Sequence, residues 1–197
     1  ARRANPGAWI VDFTNPTGIV TQALLDAGAR AIGLCNVAIG LQRRLAAHYE
    51  VAPERVELEH VGLNHLTWER AVRVDGVDRL PELLEQEADW LADEMDLSAD
   101  LMRDLRAIPS YYLRYFYNRD EVLAKQREGK SRAEEVAEIE RGLLELYRDP
   151  TLNTKPELLE HRGGAFYSEA AAQLIASLYL GDDDVQVVNV RNDGALP

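Results

Sequence analysis

Cysteine is nearly absent from this chain: a single thiol, Cys35, stands among 197 residues. An internal disulfide is excluded, and with it the stapled scaffold of a small secreted domain. Positive charge is also scarce, with 22 Lys and Arg against 34 Asp and Glu, for a formal net charge of −12. That balance argues against nucleic acid and anionic membranes as partners, and an anionic substrate would have to be met by a few placed arginines. No apolar run approaches the ~18 residues needed to span a bilayer, and no signal-like start is present, so the chain reads as cytosolic. There is no internal repeat and no low-complexity segment. An initiator Met is missing too: Ala1-Arg2-Arg3-Ala4-Asn5-Pro6 leads at once into an expected strand, and Asn192-Asp193-Gly194-Ala195-Leu196-Pro197 follows another. Both ends read as cut, so an excised fragment is expected. What remains is ordinary globular material, 46% hydrophobic and 28% charged, enough for one domain or two small ones.

The opening alternates strand and helix. Trp9 to Phe13 is a short apolar run, and Thr14-Asn15-Pro16-Thr17-Gly18 reads as a turn with Thr14 or Asn15 as N-cap and Pro16 in the first turn. A helix from Ile19 to Ala27, a strand Ala31 to Leu34 and a helix Ile39 to Tyr49 follow. Two β-α units in succession predict parallel strands. Then the pattern changes. Val56 to Val61 and Trp68 to Val74 alternate at the period of half-buried strands, and Asp75-Gly76 signals a tight turn. Beyond Leu80 the chain reads as helical: Pro81 to Met95, Leu101 to Glu128 with the helix proper starting at Pro109, and Ser131 to Tyr147 behind the capping box Ser131-Arg132-Ala133-Glu134. A loop from Thr151 to Gly164, a helix from Ser168 to Leu180 and a strand from Val185 to Val190 complete the expectation.

Cys35 lies in Gly33-Leu34-Cys35-Asn36-Val37, where a strand gives way to a helix. His65 lies in Gly62-Leu63-Asn64-His65, thirty positions later. Alone, Cys35 reads as readily as a small buried hydrophobe, and His65 as a hydrogen-bonding residue. Brought together they would make a soft metal site with incomplete coordination, which substrate oxygens and water would complete. Tyr111-Tyr112-Leu113-Arg114-Tyr115-Phe116-Tyr117 reads either as a helix with an aromatic stripe, Tyr112 and Tyr115 sharing a face, or as the source of a tyrosinate base activated by a nearby cation. Arg132, where a helix begins, is either a surface charge or a phosphate ligand. Arg162-Gly163-Gly164 is either a backbone approach to a ligand or a loop.

Taken together, Phe13-Thr14-Asn15-Pro16-Thr17-Gly18, Gly33-Leu34-Cys35-Asn36, Gly62-Leu63-Asn64-His65, Tyr112-Leu113-Arg114-Tyr115 with Ser131-Arg132-Ala133, and Arg162 to Ser168 resemble the NAD-dependent glycoside hydrolases of family four. They occur in family order, and within the family the chain looks most like the 6-phospho-β-glucosidases. The resemblance implies an α+β fold with an α/β start. Residues 1–52 would end a Rossmann-type NAD-binding domain. Residues 53–197 would form a truncated substrate domain of mixed helix and strand, like the C-terminal domain of lactate and malate dehydrogenases. It further implies hydrolysis of a phosphorylated disaccharide or aryl 6-phosphoglucoside by oxidation at C3, deprotonation at C2 and elimination at C1, with NAD and Mn²⁺ or another divalent metal, outside the two-carboxylate scheme. Residue by residue, Cys35 and His65 match the metal ligands, and Tyr112 matches the base. Arg132 matches the arginine on the sugar phosphate, while Asn15, Asn36 and Asn64 match substrate contacts. Asn36 occupies the catalytic position where α-type members tend to carry an acid, and an amide there favours the β-type. A cytoplasmic dimer or tetramer is implied as well. The family's glycine-rich dinucleotide turn has no counterpart in these residues, so no NAD contact is assigned.

Two other readings compete. A lactate- or malate-dehydrogenase-like oxidoreductase would need a catalytic His–Asp pair with a substrate arginine, and would leave Cys35 without a role. A non-catalytic sugar-phosphate-binding module would use the same pocket without the metal.

Overall fold

The computed structural model describes residues 3–163, 166–182 and 185–194; Gly164, part of the expected glycine approach, lies outside them. The described chain is mixed α/β, with a short parallel sheet and an antiparallel one. It divides into two compact units, residues 1–113 with 166–197, and residues 114–165.

The first unit opens as expected. Strand β1 (Trp9–Asp12) pairs in parallel with β2 (Arg30–Gly33) through the crossover helix α1 (Thr17–Asp26). Alternation along β2 sends Ile32 to one face and Gly33 to the other. Leu34, just past the strand, joins Ile32. On that face Ile32 and Leu34 pack against Ala170, Ala171 and Leu174 of α9 (Tyr167–Leu180). On the other, α1 comes so close that a Cβ on Gly33 would lie 2.1 Å from Thr21 Oγ1. The expected N-cap is not made: Pro16 occupies that position, and no side chain caps α1. The Pro16 carbonyl instead accepts from the N–H groups of Ile19 and Val20. The buried Asp12 carboxylate ties the turn together, accepting from the Thr14 N–H at 3.1 Å and the Thr21 hydroxyl at 3.3 Å.

Helix α2 (Asn36–His48) starts directly after Cys35. Gln42 donates to the carbonyls of Pro53 and Val56, fixing α2 to the start of β3 (Val56–Leu63). Strand β3 forms a hairpin with β4 (Leu66–Val74), and Leu63 and Leu66 are its last pair, so Asn64 and His65 are its two-residue tip. Asp75 and Gly76, both at positive φ, turn β4 into β5 (Val77–Asp78), as the tight-turn signal predicts. The expected long helix from Pro81 is two helices, α3 (Leu80–Gln86) and α4 (Ala88–Met95), followed by α5 (Ala99–Leu105). Their buried faces carry Leu83, Leu91, Met95 and Met102. Helix α4 holds the far end of α2: Arg44 pairs with Glu94 at 2.9 Å, and the His48 ring stacks on Trp90 at 4.0 Å.

Pro109 does not begin a helix. Ile108 and Pro109 form β6, pairing with Glu69 and Trp68 of β4, an edge position that requires no N–H from proline. The tyrosine run is likewise not one helix. Tyr111–Leu113 is a 3-10 turn, and Arg114–Tyr117 is the four-residue α6. The expected strand from Val185 to Val190 reduces to an isolated bridge between Asn189 and Gly33.

In the second unit α6 is followed by α7 (Arg119–Glu128) and α8 (Arg132–Leu146). The capping box forms as its sequence predicts, with Ser131 and Glu134 each bonding the other's backbone N–H. A 3-10 turn at Glu157–Arg162 packs on α8, with Arg162 held by Glu140 at 2.7 Å. Among the described residues no helix is long and apolar enough to cross a membrane.

Gly62 is the most constrained glycine of the hairpin: φ is +122°, and a Cβ there would lie 2.0 Å from the Leu66 carbonyl oxygen. Gly18, in α1, has open space around it. Gly62→Ala should therefore cost more than about 2 kcal/mol, whereas Gly18→Ala should be neutral or gain about 0.5 kcal/mol from helix propensity. Denaturant midpoints of the two variants compare them directly; equal midpoints would refute the constraint.

Candidate functional site

Cys35 and His65 meet. The Sγ of Cys35 lies 3.3 Å from Nε2 of His65. Each reaches this place from a different element: Cys35 from the end of β2, and His65 from the hairpin tip, where its φ of +67° turns it out of strand geometry. A left-handed non-glycine residue costs about 1 kcal/mol, tolerated where the surroundings enforce it. Here Gly62 lets the two strands close tightly enough to do so.

Tyr112 completes the group. Its ring stacks on the His65 imidazole at 3.9 Å with an interplanar angle of 9°. The sheet delivers it: β6 pairs beside the hairpin tip, the Ser110 N–H donates to the Thr67 carbonyl at 2.8 Å, and Tyr112 follows two residues later. Tyr111 lies edge-on to Tyr112 at 6.0 Å. Tyr167, the first residue of α9, approaches from the opposite end of the chain. Its ring stacks on Phe13 at 5.5 Å, and its hydroxyl faces the Asn36 N–H and the Thr17 side chain.

Burial governs the electrostatics. It pushes the Cys35 thiol above its ordinary value, partly offset by donors on the sulfur: the N–H groups of Val37 and Asn36 and the side chain of Asn64. It pulls His65 below the usual histidine range, leaving a neutral imidazole, and raises Tyr167. Neutral imidazole and thiol share one hydrogen bond here. A divalent cation would instead receive both lone pairs. Sulfur and nitrogen 3.3 Å apart are close enough to serve as ligands of one ion. Two donors do not complete a coordination sphere, and among the described residues no group of three or more His, Cys, Asp or Glu could hold a metal.

The other residues expected at a site fall in different surroundings. Asn36 is the first residue of α2, and Asn64, at the hairpin tip beside His65, lies close enough to the Cys35 thiol to favour its thiolate. Asn15 is exposed in the turn before α1, where its Oδ1 accepts from the Thr17 hydroxyl at 3.4 Å. Arg132 belongs to the second unit, where its exposed guanidinium contacts Glu135 at 3.2 Å and donates to the His161 carbonyl at 2.8 Å. Sequence reasoning missed Asp12 and Tyr167; a carboxylate closing an apolar strand was the one available signal for the first. A cavity of about 520 Å³ between α2, β3 and α9 includes neither Cys35 nor His65. Two of its polar side chains are paired, Arg73 with Glu59 at 2.7 Å and His60 with the buried Glu69 at 2.8 Å.

A parallel strand pair leads into a helical and antiparallel region, with a thiol, an imidazole and a phenol gathered at strand ends. Residues 2–51 match the family described as Family 4 glycosyl hydrolase, and residues 60–197 match the Family 4 glycosyl hydrolase C-terminal domain. The chain belongs to glycosyl hydrolase family 4. It is 41% identical to the "Probable 6-phospho-beta-glucosidase" of Bacillus subtilis (strain 168), over 97% of this chain and 46% of that protein. It is 34% identical to the 6-phospho-beta-glucosidase of Escherichia coli (strain K12), over 97% and 46%. The 6-phospho-beta glucosidase structure from Thermotoga maritima, solved with manganese, NAD+ and glucose-6-phosphate, superposes with a TM-score of 0.82 at 38% identity, covering 99% of this chain and 48% of that one. The chain thus spans about half the length of the curated relatives it matches.

Because burial raises Cys35, its thiolate fraction near neutral pH falls below that of a free cysteine. Iodoacetamide should alkylate it slowly, with a pH–rate midpoint above the ordinary ~8.5. Asn64→Ala, removing a donor that favours the thiolate, should move that midpoint higher still. A midpoint at or below the ordinary value would show that the amide donors outweigh burial.

Proposed function

We propose that the protein carrying this chain hydrolyses 6-phospho-β-glucosides with NAD and a divalent metal, and that these residues supply the metal and substrate half of its site. The observation that carries this reading is the cluster of Cys35, His65 and Tyr112, with sulfur and nitrogen 3.3 Å apart and the two rings 3.9 Å apart. The relatives named above support the substrate class, and the Thermotoga maritima structure supports NAD and manganese. Residues 1–52 are read with it as the end of the NAD-binding domain, and 53–197 as the truncated substrate domain. A cytoplasmic homo-oligomer, dimer or tetramer, goes with the same reading.

When bound, the metal supplies Lewis acidity to sugar oxygens and NAD supplies a hydride acceptor. The chain's own residues do the rest. Cys35 and His65 hold the ion, and Asn64 orients the sulfur. Tyr112, its ring fixed flat against His65, is the base for the proton on the sugar's C2; its stacking favours it over Tyr111. Asn36 and Asn15 offer amides that hydrogen-bond sugar hydroxyls, and Asn36 cannot act as a proton-donating acid. Arg132 meets the sugar phosphate, a role suited to an exposed guanidinium at the first residue of α8.

Metal titration tests the core of this. The full-length protein should bind one divalent ion per chain, Zn²⁺ and Co²⁺ more tightly than Mn²⁺, and Cys35→Ser or His65→Ala should weaken binding by at least about a hundredfold, as expected for loss of a direct ligand when outer partners already account for 10–100-fold. Unchanged binding in both variants would remove the metal from this place. Separately, Tyr112→Phe should retain the metal and abolish exchange of the C2 proton into solvent. Arg132→Ala should weaken a 6-phosphoglucoside by about tenfold or more while sparing its unphosphorylated analogue, the loss of a charge-assisted contact; equal losses would refute the phosphate role.

A further inference from the structure

We infer that Ser110 is a positioning residue for this site: it joins the hairpin that carries His65 to the turn that carries Tyr112, and so sets where the phenol stands over the imidazole. The inference rests on the reading of Tyr112 as the base and adds a residue to it. Four observations carry it. Tyr112 is 38% exposed, so burial alone does not hold its ring, whereas Ser110 before it and Leu113 after it are each only 3% exposed. The chain reaches Ser110 through Ile108 and Pro109, both fully buried and paired with β4, so the serine starts from a fixed point. Three polar groups of Ser110 then each make a different bond. Its N–H donates to the Thr67 carbonyl at 2.8 Å, two residues beyond His65, and its carbonyl accepts from the Leu113 N–H at 2.8 Å. Its Oγ accepts from the Tyr112 N–H at 3.4 Å. Finally, the ring that leaves this turn lies flat on the His65 imidazole, 3.9 Å away and tilted by 9°.

A serine hydroxyl that takes the N–H two residues on is a turn former, bending the chain without a longer helix. Here the two backbone bonds attach the turn to the hairpin and close it, and the side-chain bond fixes the residue that bears the phenol. That third bond is long, so its loss costs the fold little. Its consequence is in the place of Tyr112, because a displacement of about 1 Å at a reacting group costs up to about a hundredfold in rate. Ser110 itself touches neither metal nor sugar in this reading.

The test compares full-length wild type with Ser110→Ala, which keeps both backbone bonds and loses only the hydroxyl. Three quantities are read: the His65 ring-proton chemical shifts of the metal-free protein, assigned with His65→Ala; Co²⁺ affinity; and the exchange of the C2 proton of a 6-phosphoglucoside, with kcat and KM. A stacked phenol shields the imidazole protons. In Ser110→Ala their signals should therefore move downfield, and exchange and kcat should fall by about tenfold, while KM and Co²⁺ affinity stay at their wild-type values. Wild-type ring shifts and exchange in Ser110→Ala would overturn the inference. So would a Co²⁺ affinity that falls by the same factor as exchange, which a general loosening of the hairpin produces. Tyr112→Phe separates the two levels of argument. Exchange that persists in Tyr112→Phe overturns the base reading itself, and the role of Ser110 with it; exchange lost there but intact in Ser110→Ala overturns the inference alone.

Discussion

Everything at the candidate site depends on one close approach, a half-buried sulfur 3.3 Å from a half-buried ring nitrogen. Burial disfavours the charged form of each, raising the thiol and lowering the imidazole. Left to themselves the two groups form a neutral hydrogen bond, worth about 1 kcal/mol. The chain uses far more structure than that bond could justify: a left-handed histidine, an obligatory glycine three residues before it, and a helix started directly on a cysteine. Strain held in place by its surroundings is typical of functional sites. A cation held there as proposed would take both lone pairs and offset the burial cost that the thiolate meets alone.

Helix α2 is what turns two distant segments into neighbours. Gln42 fastens it to the start of β3, and Arg44 and His48 fasten it to α4. The distance from its N-terminus to the hairpin tip is then set by the length of β3. Tyr112 is placed by the same hairpin through β6, so the phenol and the His65 imidazole move as one body. Rigid elements of this kind hold reacting groups more accurately than a loop can, and small displacements at such centres are costly.

The local grammar was legible in the sequence. The β-α-β opening, the Asp75–Gly76 turn and the Ser131 capping box follow from residue preferences that act over a few positions. The pairing of Cys35 with His65 was legible only as a chemical possibility, because no local spacing links residues that a hairpin and a helix bring together. Pro109 shows where local reasoning fails: proline suits a helix start and a sheet edge equally, and the partner strand, forty-one positions earlier at Trp68, decided between them. Pro16 shows the same failure, since an amide and a hydroxyl beside a helix start need not cap it. Tyr167 was hidden for a third reason. Its place against Phe13 depends on where α9 lands, which the burial of Ala170, Ala171 and Leu174 against Ile32 and Leu34 sets.

The incompleteness of the centre is itself informative. One sulfur and one nitrogen favour Zn²⁺ or Co²⁺ over Mn²⁺ on affinity alone, so a site meant to hold a metal permanently would add protein ligands until it closed. Here the nearest additional polar groups are amides and phenols: Asn36, Asn64, Tyr112 and Tyr167. Amides and phenols hydrogen-bond to hydroxyl groups and leave the remaining coordination positions to oxygen from outside the protein. A ligand rich in vicinal hydroxyls would take those positions and those hydrogen bonds together, as the proposed sugar substrate requires.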